Sequence, residues 1–156
     1  MQKTQLLQIN QQTERETPIS YFALSGLLPG GQTLALNRET RTVSLLCEGP
    51  LLLVEQQCSV NEMQVLLPIL EAFPHYCLYE VLLAHICSNT VTETSITRCR
   101  QRLQEAQSRG TWQQELRPIR RALSPLRRKL HRFGLEISNI RERGCSLTSL
   151  TSYLMF

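Results

Sequence analysis

Arginine is the residue around which this sequence could do chemistry. Fifteen of its seventeen bases are Arg, with only Lys3 and Lys129 as Lys, and all thirteen acids are Glu. A guanidinium is a planar fork that donates two parallel hydrogen bonds, which suits phosphate oxygens and base edges better than an ammonium does. The arginines are densest in 115–133, ELRPIRRALSPLRRKLHRF. At helical spacing Arg117, Arg121, Ser124, Arg128 and Arg132 share one side, and Arg120, Arg127 and His131 flank them. On the opposite side Leu116, Ile119, Leu123, Leu126, Leu130 and Phe133 make an unbroken apolar stripe. Such a helix can anchor one face in a core and offer the other to a major groove. Arg117, Arg120, Arg121 and Ser124 are the expected contacts to base edges or adjacent phosphates. Arg127, Arg128 and Arg132 are expected at phosphates, with Arg141 and Arg143 gripping backbone or minor groove from the following turn. The competing interpretation is a plain solvated basic surface.

Other chemistries find little support. Without Asp there is no aspartyl nucleophile, Asp phosphoacceptor, EF-hand loop or Asp-anchored triad. His75, His85 and His131 show no nucleophile–base–acid arrangement, and no Gly-rich phosphate loop is present. No enzyme activity and no cofactor are expected. The six cysteines (47, 58, 77, 87, 99, 145) contain no CxxC pair and sit mostly among apolar neighbours. His75, Cys77, His85 and Cys87 form the one conceivable metal set. Each His-x-Cys pair is two residues apart, however, which on a helix points its members to different faces, so buried reduced thiols are expected instead of a metal site. The polar start MQKTQLLQINQQ does not read as a signal peptide, and no apolar run reaches membrane-spanning length. A cytoplasmic protein without membrane contact is the expectation.

The charges are sorted along the chain. Residues 98–143 hold thirteen bases and four acids, whereas 61–97 hold four Glu and no base. That asymmetry points to nucleic acid or another polyanion. A chain of 156 residues, 42% hydrophobic, is enough for one domain with a real core. Residues 1–17 read as a flexible Gln-rich arm and 18–156 as a single α+β domain: strands in 18–57, helices in 58–134, a hairpin in 135–150. The runs ISYFALS, QTLALN, RTVSLLC and PLLLVEQ, separated by LPGG, NRET and CEGP, predict three or four antiparallel strands. Ser59-Val-Asn-Glu62 is a capping-box pattern that opens a helix ending near Phe73-Pro74, kinked or shortened by Pro68. Further helices are expected at 78–87, at 93–108 ending on Gly110, and at 115–133 with a bend near Ser124-Pro125. LEISNIRERGCSLTSL then reads as a hairpin with Arg141, Arg143 and Gly144 at its turn.

A basic-faced helix followed by a basic hairpin is the recognition helix and wing of a winged-helix domain. The stretch LSPLRRKLHRFGLEISNIRERGCSL, 123 to 147, resembles the effector domain of OmpR/PhoB-type transcriptional regulators, which typically shows I-x-x-L-R-x-K-L and then I-x-T-V-R-G-x-G-Y-x-L. NRETRTVSL is similar to that family's N-terminal strands, SVNEMQVLLPILEAFP to its first helix and LYEVLLAHI to its second. The resemblance covers roughly 32–148. It implies a four-stranded N-terminal sheet, a three-helix core, a C-terminal wing and double-stranded DNA as partner. Three departures stand out. Glu142 occupies the place of the wing's first Gly, Cys145 that of an aromatic, and residues 88–114 enlarge a normally short connection with an extra helix. In the family that connection can touch RNA polymerase, so 88–114 is the expected surface for the polymerase or another regulator. The alternative function is a winged-helix interaction module, an adaptor or antagonist that does not bind DNA specifically.

Overall fold

The computed structural model describes residues 18–49, 51–88 and 90–150; the expected N-terminal arm lies outside the described residues. Four strands come first: β1 (Ile19–Phe22), β2 (Thr33–Asn37), β3 (Thr42–Cys47) and β4 (Leu51–Gln57). They form an antiparallel sheet in sequence order, with a bulge opposite Leu45/Leu46. Period-two alternation explains which face is inward, since Leu34, Leu36, Val43 and Leu45 are buried. The helical layer follows with α1 (Val60–Ala72), α2 (Tyr79–Cys87), α3 (Glu93–Arg109), α4 (Trp112–Glu115) and α5 (Arg117–His131). Last comes the hairpin of β6 (Leu135–Ile140) and β7 (Gly144–Ser149). The chain is therefore α+β, with a four-stranded antiparallel sheet, several helices and a C-terminal hairpin. One contiguous core joins all three parts, from Leu34 on the sheet through Leu66, Leu82 and Leu126 on the helices to Ile137 and Leu147 on the hairpin. Among the described residues no helix is long and apolar enough to cross a membrane.

Local chemistry sets the helix ends. Ser59 Oγ accepts from the Glu62 N–H at 3.2 Å while Glu62 Oε1 accepts from the Ser59 N–H at 2.9 Å, the reciprocal cap that the sequence pattern predicts. α1 runs as one helix through Pro68 to Ala72, so the expected shortening does not occur. α3 closes on Gly110 at φ 75, a conformation that glycine adopts without a Cβ penalty.

Four expectations need correction. The helix expected at 115–133 is two elements, because Trp112–Glu115 makes its own turn and α5 begins at Arg117. Pro118 then falls in the first turn of α5, where its missing N–H costs nothing. The expected helical stretch 58–134 contains a strand, β5 (Cys77–Leu78), directly before the helix Tyr79–Cys87. β5 pairs with β7, and the hairpin is thereby the outer part of a three-stranded sheet in the order β5-β7-β6. Gly144 lies not at the turn but in β7, opposite Leu78. A Cβ there would stand 1.9 Å from the Cys77 carbonyl oxygen, so only glycine allows this approach.

Candidate nucleic-acid interface

The helix α5 divides as its spacing dictates. Leu116, Ile119, Leu123, Leu126, Leu130 and Phe133 are all buried, Leu126 at 0% exposure. Removing each from water contributes about 1.5–3 kcal/mol. Arg117, Arg120, Arg121, Ser124, Arg128 and Arg132 are exposed. α5 also runs unbroken through Pro125. The carbonyl that Pro125 leaves without a donor belongs to the exposed Arg121, where solvent can serve instead.

The two halves of the helix are held differently. In the C-terminal half, polar side chains reach neighbouring elements. Arg127 Nη2 donates to Asn139 Oδ1 on β6 at 2.7 Å, and His131 Nε2 lies 2.6 Å from Glu136 Oε2 on the same strand. Arg132 Nη1 donates to Gln56 Oε1 on β4 at 2.9 Å. Lys129 Nζ donates to Glu62 Oε1 on α1 at 2.9 Å. Glu62 is 3% exposed, the buried charge of the core. Burial pushes its carboxyl up, but hydrogen bonds from Lys129 and Ser59 outweigh this and hold it below the usual glutamate range. Arg127 and Arg132, expected only as phosphate contacts, thus also fix the helix to its surroundings. The side chains of Arg117, Arg120, Arg121 and Arg128 make no hydrogen bond or ion pair among the described residues.

A cleft of about 190 Å³ opens beside α5, with Arg120, Ser124, Arg127, Tyr79 and Asn139 in its wall. Arg127 Nε is buried there without an acceptor. Burial and nearby Cys145 raise the Tyr79 hydroxyl above its usual range, against the opposing pull of Arg120 and Arg127. The phenol therefore stays protonated, and the cleft carries two guanidiniums with no carboxylate, a setting that suits an anionic oxygen. Tyr79 and Asn139 were not apparent as site residues in the sequence. Asn139, a polar side chain in the apolar alternation Leu135, Ile137, was the available signal.

The hairpin is seated firmly beside the helix. The Tyr79 N–H donates to the Arg143 carbonyl at 2.9 Å, and the Leu150 N–H to the Gly134 carbonyl at 2.9 Å. Its turn closes with the Arg143 N–H donating to Ile140 O, and Arg141, Glu142 and Arg143 are all exposed. Glu142 has φ 61, a left-handed conformation that glycine takes without strain. The acid at this position thus brings both strain and the wrong charge for a phosphate contact.

On α3 the arginines separate. Arg100 pairs with Glu80 at 3.1 Å and Arg102 with Glu115 at 2.9 Å, so both brace α3 against its neighbours. Arg98 and Arg109 are exposed. Trp112 is half-buried and meets the Tyr79 ring edge-on at 6.1 Å between centroids. Of the metal set, Cys77 is buried in β5, His85 half-buried on α2 and Cys87 exposed at its end. No group of three or more potential ligands gathers among the described residues. The Cys58, Cys77 and Cys145 thiols are pushed up by burial to about 11, 12 and 11 respectively, which keeps them protonated and unreactive. No protein-family model, curated protein or solved structure matches the chain.

Proposed function

We propose that this chain is a winged-helix, OmpR/PhoB-type DNA-binding transcriptional regulator acting in the cytoplasm. In this reading α5 enters the major groove of double-stranded DNA, and the β6–β7 hairpin grips the adjacent backbone or minor groove as the wing. The observation that carries it is the division of α5: a fully buried apolar stripe, and beside it Arg117, Arg120, Arg121 and Arg128 exposed, their side chains without hydrogen-bond or ion-pair partners among the described residues. Arginines that brace this fold find acceptors on neighbouring elements, as Arg100, Arg102, Arg127 and Arg132 do. Arginines held out on a rigid helix without partners are placed for an anion from outside. The element order supports the same resemblance: a four-stranded sheet, helices α1 and α2, the enlarged connection carrying α3 and α4, the basic helix α5 and a C-terminal hairpin. Within it, α3 and Trp112 in 88–114 serve as the surface for RNA polymerase or another regulator. The chain acts without a catalytic step and without a cofactor. Fluorescence anisotropy with a labelled duplex, titrated with salt, tests the proposal. Steeply salt-dependent binding is expected, and affinity that barely changes with salt would reject it.

One observation favours a second function, that of an interaction module. Glu142 sits exposed and strained at the tip of the wing, where a phosphate contact would call for glycine or a base. An adaptor or antagonist would bind a protein partner and show no preference among duplexes.

A further inference from the structure

The cleft beside α5 gathers hydrogen-bond donors that lack acceptors. Five side chains in its wall can donate: the guanidiniums of Arg120 and Arg127, the hydroxyls of Tyr79 and Ser124, and the Asn139 amide. Arg127 Nε is buried with no acceptor. Among the described residues the Arg120 guanidinium and the Tyr79 and Ser124 hydroxyls make no hydrogen bond. Asn139 Oδ1 accepts from Arg127 Nη2 at 2.7 Å and from the Cys145 thiol at 3.5 Å, while its amide nitrogen has no partner. The one amide oxygen in the wall is thus engaged from within, and every group left over can donate. Buried or half-buried donors in that state call for an acceptor the chain does not supply. Charge argues for the same kind of ligand. The Arg127–Asn139 bond goes to a neutral amide, so both guanidiniums keep their charge unbalanced. No glutamate lines the cleft, and none is among the charges acting on the Tyr79 hydroxyl. Glu80, Glu115 and Glu136, on or beside the same elements, are engaged with Arg100, Arg102 and His131. Glu142 lines a separate cavity and stands between Arg141 and Arg143 in the chain. The rest of the wall is Leu116, Ile119 and Leu123, all buried, and such apolar surroundings strengthen a charge-assisted hydrogen bond.

We propose that this cleft is a seat for one phosphate group, held by Arg120 and Arg127 and oriented by Tyr79, Ser124 and Asn139. At about 190 Å³ it is smaller than the roughly 300–1,000 Å³ usual for small-molecule sites, so it suits a single tetrahedral group and not an organic body. The bond from Nη2 to Asn139 holds the Arg127 guanidinium in place and leaves Nε for a phosphate oxygen. Arg120, Ser124 and Asn139 are exposed, so the seat is open to a phosphate still attached to a chain. Two sources offer this chemistry, a backbone phosphate of duplex DNA and inorganic phosphate from solution. The first rests on the DNA-binding function proposed above; the second does not.

Calorimetric titration of the full chain with inorganic phosphate, against sodium chloride at matched ionic strength, reads the seat directly. Saturable one-to-one binding of phosphate is expected. Tyr79→Phe keeps the ring that meets Trp112 and removes only the hydroxyl, and Arg120→Gln removes one guanidinium at an exposed position. Each should keep its melting temperature and weaken phosphate by about tenfold. Arg41→Gln takes the same charge from the β2–β3 turn, outside the cleft, and should leave the affinity unchanged. Anisotropy with a labelled duplex separates the two sources. A backbone phosphate in the seat means that Tyr79→Phe weakens the duplex by about tenfold yet keeps the salt slope, because losing a hydroxyl changes no counterion release. Saturable phosphate binding with a duplex that ignores Tyr79→Phe, or with no duplex bound, supports the seat and assigns it to free phosphate. A duplex sensitive to Tyr79→Phe without saturable free phosphate supports the seat and assigns it to DNA. The seat is overturned if phosphate does not saturate and the duplex either fails to bind or ignores Tyr79→Phe. In the latter case a steep salt slope would leave the α5 interface standing without it. Phosphate affinity that ignores Tyr79→Phe and Arg120→Gln, or falls equally in Arg41→Gln and Arg120→Gln, would also overturn it.

Discussion

Lys129 stands alone as a lysine in a run of arginines, and its surroundings explain the exception. A compact ammonium on a flexible stem can reach the Glu62 carboxylate beneath the surface, where a guanidinium would leave more donors to satisfy. Lys129→Met removes that partner and leaves a buried carboxylate, at a cost of about 2–4 kcal/mol at pH 7 in urea denaturation. The pH dependence then weakens. In the native protein the Glu62 carboxyl is held below its ordinary range, so its contribution to stability is complete above about pH 4.3 and is lost as pH falls through the lowered value. In Lys129→Met burial is opposed only by the hydrogen bonds with Ser59, so that carboxyl rises from its native position and acidification should cost the variant less stability than it costs the native protein. Parallel pH profiles for the two would show that the pair is not the buried contact described. Glu142 makes a second test at this scale. Glu142→Gly relieves a positive φ and removes an acid from the hairpin tip, so stability should rise by about 1 kcal/mol and duplex affinity should increase. Stability lowered by the change would mean that Glu142 has a structural role.

At the scale of elements, α5 separates stability from binding. Leu126→Ala opens a cavity at a fully buried position and should cost about 2–5 kcal/mol. Arg121→Ala lies on the exposed side and should leave stability within about 0.5 kcal/mol, while reducing discrimination among duplex sequences by about 1–3 kcal/mol. If Arg121→Ala instead unfolds the protein, the helix does not present that face to solvent. This helix was legible in the sequence because six apolar residues at alternating spacings of three and four leave one orientation only, and the opposed arginines fix the other side. The Ser59–Glu62 cap was legible for a like reason, since both of its partners lie within one turn. The seat of the hairpin was not legible. β5 is two residues long, too short to show alternation, and Gly144 looked like turn chemistry because glycine marks turns and close backbone approach alike. Lys129–Glu62, Arg127–Asn139 and Arg132–Gln56 join separate elements, the first across 67 positions, and no local pattern encodes such pairs.

For the whole molecule, the sorted charge along the chain becomes a distribution in space that sets a limit on binding. Thirteen bases lie in 98–143, but Arg100, Arg102 and Lys129 are engaged with Glu80, Glu115 and Glu62. An engaged base releases few counterions when DNA approaches, because its charge is already largely balanced. On the proposed function, contacts from α5 and the hairpin would then come from Arg117, Arg120, Arg121, Arg127, Arg128, Arg132, Arg141 and Arg143. Each phosphate neutralised contributes about −0.9 to the slope of log K against log salt, so four to seven such contacts give a slope of about −4 to −6. Arg128→Ala should flatten it by about one unit and weaken all duplexes alike. Arg100→Ala, on the braced helix α3, should leave the slope unchanged and act, if at all, on stability. The contrast is informative because both substitutions remove the same formal charge from a protein of net charge +4. Equal flattening by the two would mean that DNA responds to the overall charge and not to a face, and the α5 interface would have to be abandoned.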